Sequence, residues 1–365
     1  MAGVTGLTGI QWYIDKIMVN MNKPTLEQKA TFFRLLAVSQ KAGLGIRMSL
    51  VSLQQGETHK GMLMILEDLV QNLTGGASLA DAMQNHSYFF NSDEIELLRS
   101  TEITGSMAQT LEEIADDLEA SQEINAKIKK ALTYPTLVIC FAVIAVVVLL
   151  VFVMPTIVEM YGDIPLPGIT IFMLQASDFF AEKWAYLLGS IIGIVALYNI
   201  LYARVLIFKI MVDSLLLKVP LVKAVIRLFY MSRFTSLLGQ FYEAGVSPVT
   251  SFKLLSTIFD NFSYKKKMVE IKNSLGAGFS IYESMEWSDL FDPILSQIIN
   301  VGENTGSLTN VLKKISVYYM MSLKSAIDSL MAIIEPLLMA FVASIVGVLL
   351  GAIYLPMADM VQVIW

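Results

Sequence analysis

Two uncharged apolar runs of equal length are each framed by prolines. Thr136 to Met154 lies between Pro135 and Pro155, and Leu337 to Leu355 lies between Pro336 and Pro356. Adding 201 to 135 and 155 gives 336 and 356, so the frame is shared. At about 1.5 Å per residue each run covers roughly 28 Å as a helix, close to the hydrocarbon thickness of a bilayer. A third apolar run, Trp184 to Ala203, lies between them, with Trp184, Tyr198 and Tyr202 near its ends. Such rings favour the membrane–water interface. The pattern predicts three transmembrane helices, over residues 134–155, 184–204 and 336–356.

The repetition continues upstream, into polar sequence. At an offset of 202, Phe32, Leu35 and Leu36 fall on Phe234, Leu237 and Leu238, and Ala42-Gly43 falls on Ala244-Gly245. Gly76-Ala77-Ser78-Leu79 falls on Gly278-Phe279-Ser280-Ile281, and Met83 on Met285. One residue is then lost, and Glu102-Ile103-Thr104-Gly105-Ser106 falls on Glu303-Asn304-Thr305-Gly306-Ser307. A long-period repeat of this kind decides the architecture.

Within each copy the apolar positions recur at helical spacing. Leu26, Ala30, Phe33 and Ala37 share one face of a helix that opens at Thr25, with Gln28 completing a capping box, and ends near Gly43. Further helices are predicted around 48–53, over 62–73, after Ser78, from Asp93 to the Glu102–Gly105 turn, and from Ser106 to Thr133. Ser78 with Asp81, and Ser280 with Glu283, cap a short helix in each copy. No stretch reads as a strand. The expected fold is an all-α integral membrane protein with two homologous cytoplasmic helical-bundle domains, of about six helices each, and three transmembrane helices.

The expected order is an N-terminal arm (1–25), helical domain 1 (26–133), the first span (134–155), a short periplasmic segment (156–183), the second span (184–204), helical domain 2 (205–335), the third span (336–356) and a periplasmic tail (357–365). In the arm, Leu7, Ile10, Ile14, Ile17 and Met18 make an amphipathic stripe that suits packing on its own domain, on a membrane or on a partner. Lys127, Lys129 and Lys130 precede the first span, and Arg204, Lys209, Lys218, Lys223, Arg227 and Arg233 follow the second. The segment between these spans is mostly acidic. By the positive-inside rule the N-terminus and both domains are cytoplasmic and the C-terminus is periplasmic.

Composition agrees with folded domains plus a few spans: 55% hydrophobic residues with 16% charged, and a mean hydropathy of +0.61. A net charge of −6 argues against nucleic-acid binding. The single Cys140 excludes an intrachain disulfide, and two histidines far apart, His59 and His86, make a zinc site unexpected. The first thirty residues do not read as a secretory signal peptide. The sequence contains no GxxxxGK[ST] loop, GxSxG, HExxH or CxxC. No catalytic, cofactor-binding or metal-binding residues are therefore expected. The spans carry no charge, whereas ion-coupled transporters place ionisable groups at the membrane midplane.

Three sets of residues stand out. In the turns Glu102-x-x-Gly105-Ser106 and Glu303-x-x-Gly306-Ser307, the glycine suits a left-handed helix end and the serine caps the next helix. Three roles fit the carboxylate: an arginine of a partner, a cation, or the backbone of the turn itself. Tyr134-Pro135 and Glu335-Pro336 mark where each copy enters the membrane. Pro135 suits the first turn of a helix, and Glu335 suits a helix N-terminus through the dipole. Gly189 with Gly193, and Gly347 with Gly351, have the GxxxG spacing of closely packed membrane helices. The acidic residues Glu112, Glu113, Asp116 and Asp117 alternate with apolar positions and read as a solvated face.

These motifs, in this order and duplicated, resemble the type II secretion F / type IV pilus inner-membrane platform family. The resemblance rests on the Ala42-Gly43 and Ala244-Gly245 turns, the two G-x-S motifs, the two E-x-x-G-S turns, Lys130 to Pro135, Ile334-Glu335-Pro336 and the closing prolines. It spans about residues 30–360. Pro248 and Phe279 depart from the first copy, which has Ile46 and Ala77 there. The resemblance implies a non-enzymatic protein of the bacterial inner membrane. Its implied partners are a hexameric cytoplasmic assembly ATPase, pilin or pseudopilin, other inner-membrane assembly proteins, the lipid bilayer, and further copies of itself in a homo-oligomer. A parallel-repeat transporter and a membrane-tethered signalling scaffold are the competing functional classes.

Overall fold

The computed structural model describes residues 23–153, 155–156, 168–285 and 290–364. The stripe expected in the N-terminal arm, and Pro165 and Pro167 of the segment between the first two spans, lie outside these residues. Contacts divide the chain into two compact units, Met1–Asn125 with Asp213–Lys324 and Ala126–Val212 with Ser325–Trp365. The first copy comprises α1 (Leu26–Lys41), α2 (Ile46–Gly56), α3 (Lys60–Thr74), α4 (Leu79–Gln84), α5 (Ser92–Thr104) and α6 (Met107–Val148). Two further helices follow, α7 (Gly168–Arg204) and α8 (Leu206–Leu216). The second copy comprises α9 (Pro220–Glu243), α10 (Pro248–Ile258), α11 (Phe262–Gly276), α12 (Ile281–Met285), α13 (Pro293–Thr305) and α14 (Leu308–Ile364). The fold is all-α, with no strand among the described residues.

The first unit holds the helical parts of both copies. Every described residue with a positive φ is a glycine, and the six form three repeat pairs: Gly43 with Gly245, Gly76 with Gly278, and Gly105 with Gly306. A side chain at these helix ends would meet the left-handed penalty, so the same turns recur in both copies. Thr25 and Gln28 form the expected capping box. The apolar stripes close over a continuous core in which Phe32, Leu36 and Phe90 of the first copy correspond to Phe234, Leu238 and Phe291 of the second.

One pair of core positions differs in kind. Lys29 Nζ lies 2.6 Å from Glu94 Oε1, both buried. The second copy has Met231 and Leu295 at the corresponding positions, also buried. Glu94 is fixed further by accepting the Asn91 N–H at 2.8 Å.

The last helix of each copy continues into the membrane stretch without a break. α6 carries Pro135 in its interior, not in its first turn as expected. α14 runs for 57 residues through Pro336 and Pro356. Pro135 and Pro336 each lack an N–H, which frees the carbonyls of Ala131 and Ala332, at the same place in both copies. The N-terminal dipole expected to favour Glu335 is absent, since that residue lies mid-helix. The expected tail from residue 357 is helical as far as Ile364.

Among the described residues two helices qualify as spans alone, Met107–Val153 and Leu308–Val348; a third counts only if Ile192–Tyr202 and Leu206–Leu216, bent by 101°, are taken together. The chain therefore has two to three candidate spans. In the second unit α6 widens to a π turn at Leu149–Val153. There the buried Ser177 hydroxyl of α7 donates to the Leu150 carbonyl at 2.6 Å. A backbone group at membrane depth needs such a partner.

The Lys29–Glu94 pair yields a test. Burial, opposed by Lys29, pushes the Glu94 pKa up to about 7 from 4.5. Its folded value lies above its unfolded value, so the associated stability is full below about pH 4.5 and is lost as pH rises through about 7. Lys29→Met with Glu94→Leu, which installs the second copy's residues, is expected to hold stability or raise it by about 1–4 kcal/mol at pH 8. Lys29→Met alone should cost about 3 kcal/mol by leaving a buried acid unpaired. Thermal unfolding in detergent between pH 4.5 and 8 measures this. A double variant that tracks the wild type across the range contradicts the assignment.

Candidate functional site

The E-x-x-G-S and G-x-S motifs meet in each copy. Glu102 Oε1 accepts the Leu79 N–H at 2.6 Å and the Ala80 N–H at 3.4 Å. Glu303 accepts the Ile281 N–H at 2.9 Å through Oε1 and the Tyr282 N–H at 3.0 Å through Oε2. The Ser78 hydroxyl accepts the Asp81 N–H, and that of Ser280 accepts the Glu283 N–H, each at 3.1 Å. Serine and glutamate thus share the orphan amides of one short helix, where a negative charge is favoured. The carboxylate bonds a different helix, not its own turn. Gly105 and Gly306 turn the chain at the end of the helix that carries it, with φ of 78° and 65°.

A second set of polar residues joins the two copies. Arg233 on α9 lies 3.9 Å from Asp93 Oδ2 and 3.5 Å from Asp117 Oδ2. The Ser236 hydroxyl donates to Asp117 Oδ1 at 3.2 Å. Asp93 is buried, and its Oδ1 has no hydrogen-bond donor among the described residues. Burial pushes its carboxyl up, against the pull of Arg233. Lys313 lies 2.8 Å from Glu113 Oε1 and also pairs with Glu243. Burial opposes its charge, but the bonds from both carboxylates outweigh that and raise its pKa.

Along α6 and α14 the pairs fall at repeat-equivalent positions. Glu123 faces Lys324 at 2.6 Å in the first unit. Lys127 faces Asp328 at 2.6 Å in the second. Within the first copy Lys41 pairs with Glu112; the same two positions in the second copy hold Glu243 and Lys313, with the charges exchanged. The acidic run of α6 therefore divides. Asp116 and Glu119 are exposed partners of Arg34, while Glu113 and Asp117 meet the second copy. Reading the run as a solvated face missed this. A signal was available where equivalent positions carry opposite charges, as at 112 and 313, but not at Asp117, whose counterpart is Tyr318.

The membrane candidates belong to the second unit. Tyr134 and Glu335 are exposed and Pro135 is partly buried. Within 4 Å of where a Cβ would stand at Gly189, Gly193 and Gly347 there is no heavy atom. Gly351 is partly buried. Gly189, Gly193 and Gly347 bring no helix close among the described residues.

Two homologous helical bundles, each ending on a helix that runs on into an apolar stretch, define a duplicated membrane scaffold. The sequence profile described as type II secretion system (T2SS), protein F matches residues 32–155 and again 234–356, once in each copy. The chain belongs to the type II secretion system protein F family. The type IV pilus assembly protein PilC of Pseudomonas aeruginosa is 28% identical over 340 residues, covering 92% of this chain and 90% of the relative. The protein transport protein HofC homolog of Escherichia coli K12 is 26% identical over 94% of this chain and 86% of its own length. The type II secretion system protein F of Xanthomonas campestris is 26% identical over 82% and 74%. These relatives are proteins of pilus assembly and secretion, and the family is an inner-membrane one.

Loss of the glutamate cap has a defined cost. Glu102→Ala and Glu303→Ala should each destabilise the chain by about 1–2 kcal/mol, the range for a lost helix cap. Glu→Gln at either position retains one acceptor and should cost less. Thermal unfolding in detergent reads both; an alanine variant as stable as the wild type contradicts a capping role.

Proposed function

We propose that this chain is the inner-membrane platform of a type IV pilus or type II secretion machine. It is non-enzymatic and couples a hexameric cytoplasmic assembly ATPase to the insertion of pilin or pseudopilin subunits into the filament. The observation that carries this reading is membership of the protein F family in both copies, over most of the chain. The continuous helices α6 and α14 support it, because each joins a helical bundle to a membrane stretch through regular backbone. With no phosphate loop in the sequence, the energy comes from a partner. In this reading the helical domains and the N-terminus are cytoplasmic and the C-terminus periplasmic, which the basic residues beside the first two spans support.

Domain boundaries at 26–133 and 205–335, with spans over 134–155, 184–204 and 336–356, form part of this reading. So does a homo-oligomer, since three spans are few to surround a filament base. Glu102, Gly105, Glu303 and Gly306 act through helix-end geometry, because their carboxylates are already engaged by backbone amides. Tyr134-Pro135 and Glu335-Pro336 mark membrane insertion, and the glycines at 189, 193, 347 and 351 serve packing between chains.

Membranes containing this chain should raise the ATP hydrolysis rate of the assembly ATPase of the same machine several-fold. That stimulation should be lost when 26–133 or 205–335 is deleted from a protein that still inserts. An unchanged rate, with no co-purification of the ATPase, contradicts motor coupling.

A further inference from the structure

Beside the α6–α14 pairs, the two copies share a second contact, and that one is one-sided. α5 of the first copy packs on α9 and α10 of the second. No packing of comparable extent joins the corresponding α13 to α1 and α2. A contact between two different faces is heterologous. A chain of two copies joined in this way ends with one unused face of each kind.

The side chains record both unused faces. On α5, Asp93, Leu97 and Ser100 stand at i, i+4 and i+7, one helical face. Asp93 is 4% exposed and Leu97 1%. Their counterparts on α13 are Ile294, Ile298 and Val301, with Ile294 and Val301 each 58% exposed. On α9, Leu237 and Gln240 are 1% and 8% exposed and line a small cavity with Asp93, Leu97 and Asp117. Their counterparts on α1, Leu35 and Val38, are 44% and 56% exposed. Ala42 continues that stripe, and the exposed Leu44 follows it where the second copy has the buried Val246.

We propose that a second copy of this chain covers these faces, with α13 of one chain on α1 of the next, repeating the contact already made inside each chain. The internal contact supplies the template, because the same two helix faces are buried against each other there. Chemistry decides the pairing. Inside the chain, Arg233 faces Asp93 and Asp117. At the unused faces the corresponding residues are Thr31, Ile294 and Tyr318. The charged contact stays within a chain and the apolar contact forms between chains. An Ile294 stripe docked on α9 would leave the Arg233 guanidinium without its acids, which disfavours the swapped arrangement. Repetition of a heterologous contact builds a ring or an open helix of copies. This names the surface for the homo-oligomer of the proposed function and rests on that reading for its biological role.

Cysteine cross-linking of the full chain in membranes tests the surface. Cys140→Ser removes the only thiol. Val38→Cys and Val301→Cys are then placed on separately tagged chains and treated with a short bis-maleimide. The mixed dimer is expected when the two chains are co-expressed, and each variant alone should give at most a tenth of that yield. A chain with both cysteines should give a ladder of dimers and larger species. Adding Ile294→Asp should lower the mixed dimer at least fivefold, with thermal unfolding in detergent confirming that the variant is folded. Dimers joining like positions at comparable yield, or an oligomer on native gels with no mixed dimer, overturn the proposal. Filament assembly in the same strains separates the two readings. Normal filaments without the mixed dimer overturn this surface and leave the platform reading intact; the mixed dimer without filaments supports the surface and counts against the platform.

Discussion

Where α6 and α14 meet, a residue of one copy touches the residue at the same place in the other: Glu123 with Lys324, and Lys127 with Asp328. Identical copies would set like charges opposite each other at both places. The side-by-side arrangement therefore depends on the copies having diverged in charge. The pairs are partly exposed, so each contributes at most about 1 kcal/mol to stability. Their effect is on register, since sliding either helix by one turn would break both contacts. Lys313, held by Glu113 and Glu243, adds a third point nearer the start of α14. From residue 113 to residue 127 these contacts span about 21 Å of helix.

The long helices give that register its reach. α6 has 42 residues and α14 has 57, more than the roughly 20 that a bilayer needs. Each contributes to a bundle at one end and to the apolar stretch at the other. Pro135 and Pro336 interrupt one hydrogen bond apiece in equivalent places, which is where such a helix bends. The third apolar helix, α7, ends at a sharp turn into α8, and it has no equivalent in either copy. The repeat thus explains the two ends of the membrane architecture and leaves its middle as an addition.

Much of this was legible in the sequence, for identifiable reasons. Turns that need a positive φ admit little but glycine, so Gly43, Gly76 and Gly105 and their repeats were visible as motifs. An uncharged run of membrane length has no polar face to turn towards water, so it marks a candidate span directly. The role of Glu102 and Glu303 was only partly visible, because their partners lie more than twenty residues away on another helix. The same limit hid the Lys29–Glu94 pair and the Arg233 cluster. A lone lysine or arginine in an amphipathic pattern reads as surface until its acid is placed. Pro135 misled for a local reason: proline favours helix starts, but a long helix held by packing and membrane can carry one inside. Opposite charges at repeat-equivalent positions were present in the sequence and carried the contacts of Glu123 with Lys324 and Lys127 with Asp328.

The central claim is that α6 and α14 of one chain lie side by side in equivalent register. Cross-linking Glu123→Cys to Lys324→Cys with a short bis-maleimide in a Cys140→Ser chain, in membranes, tests it most directly, because the linker spans the reach of the Glu–Lys pair it replaces. The account predicts one linker bridging both thiols within single chains, seen as the mass of one chain plus one linker. Two linkers per chain, or bridges that form only between chains, would contradict it.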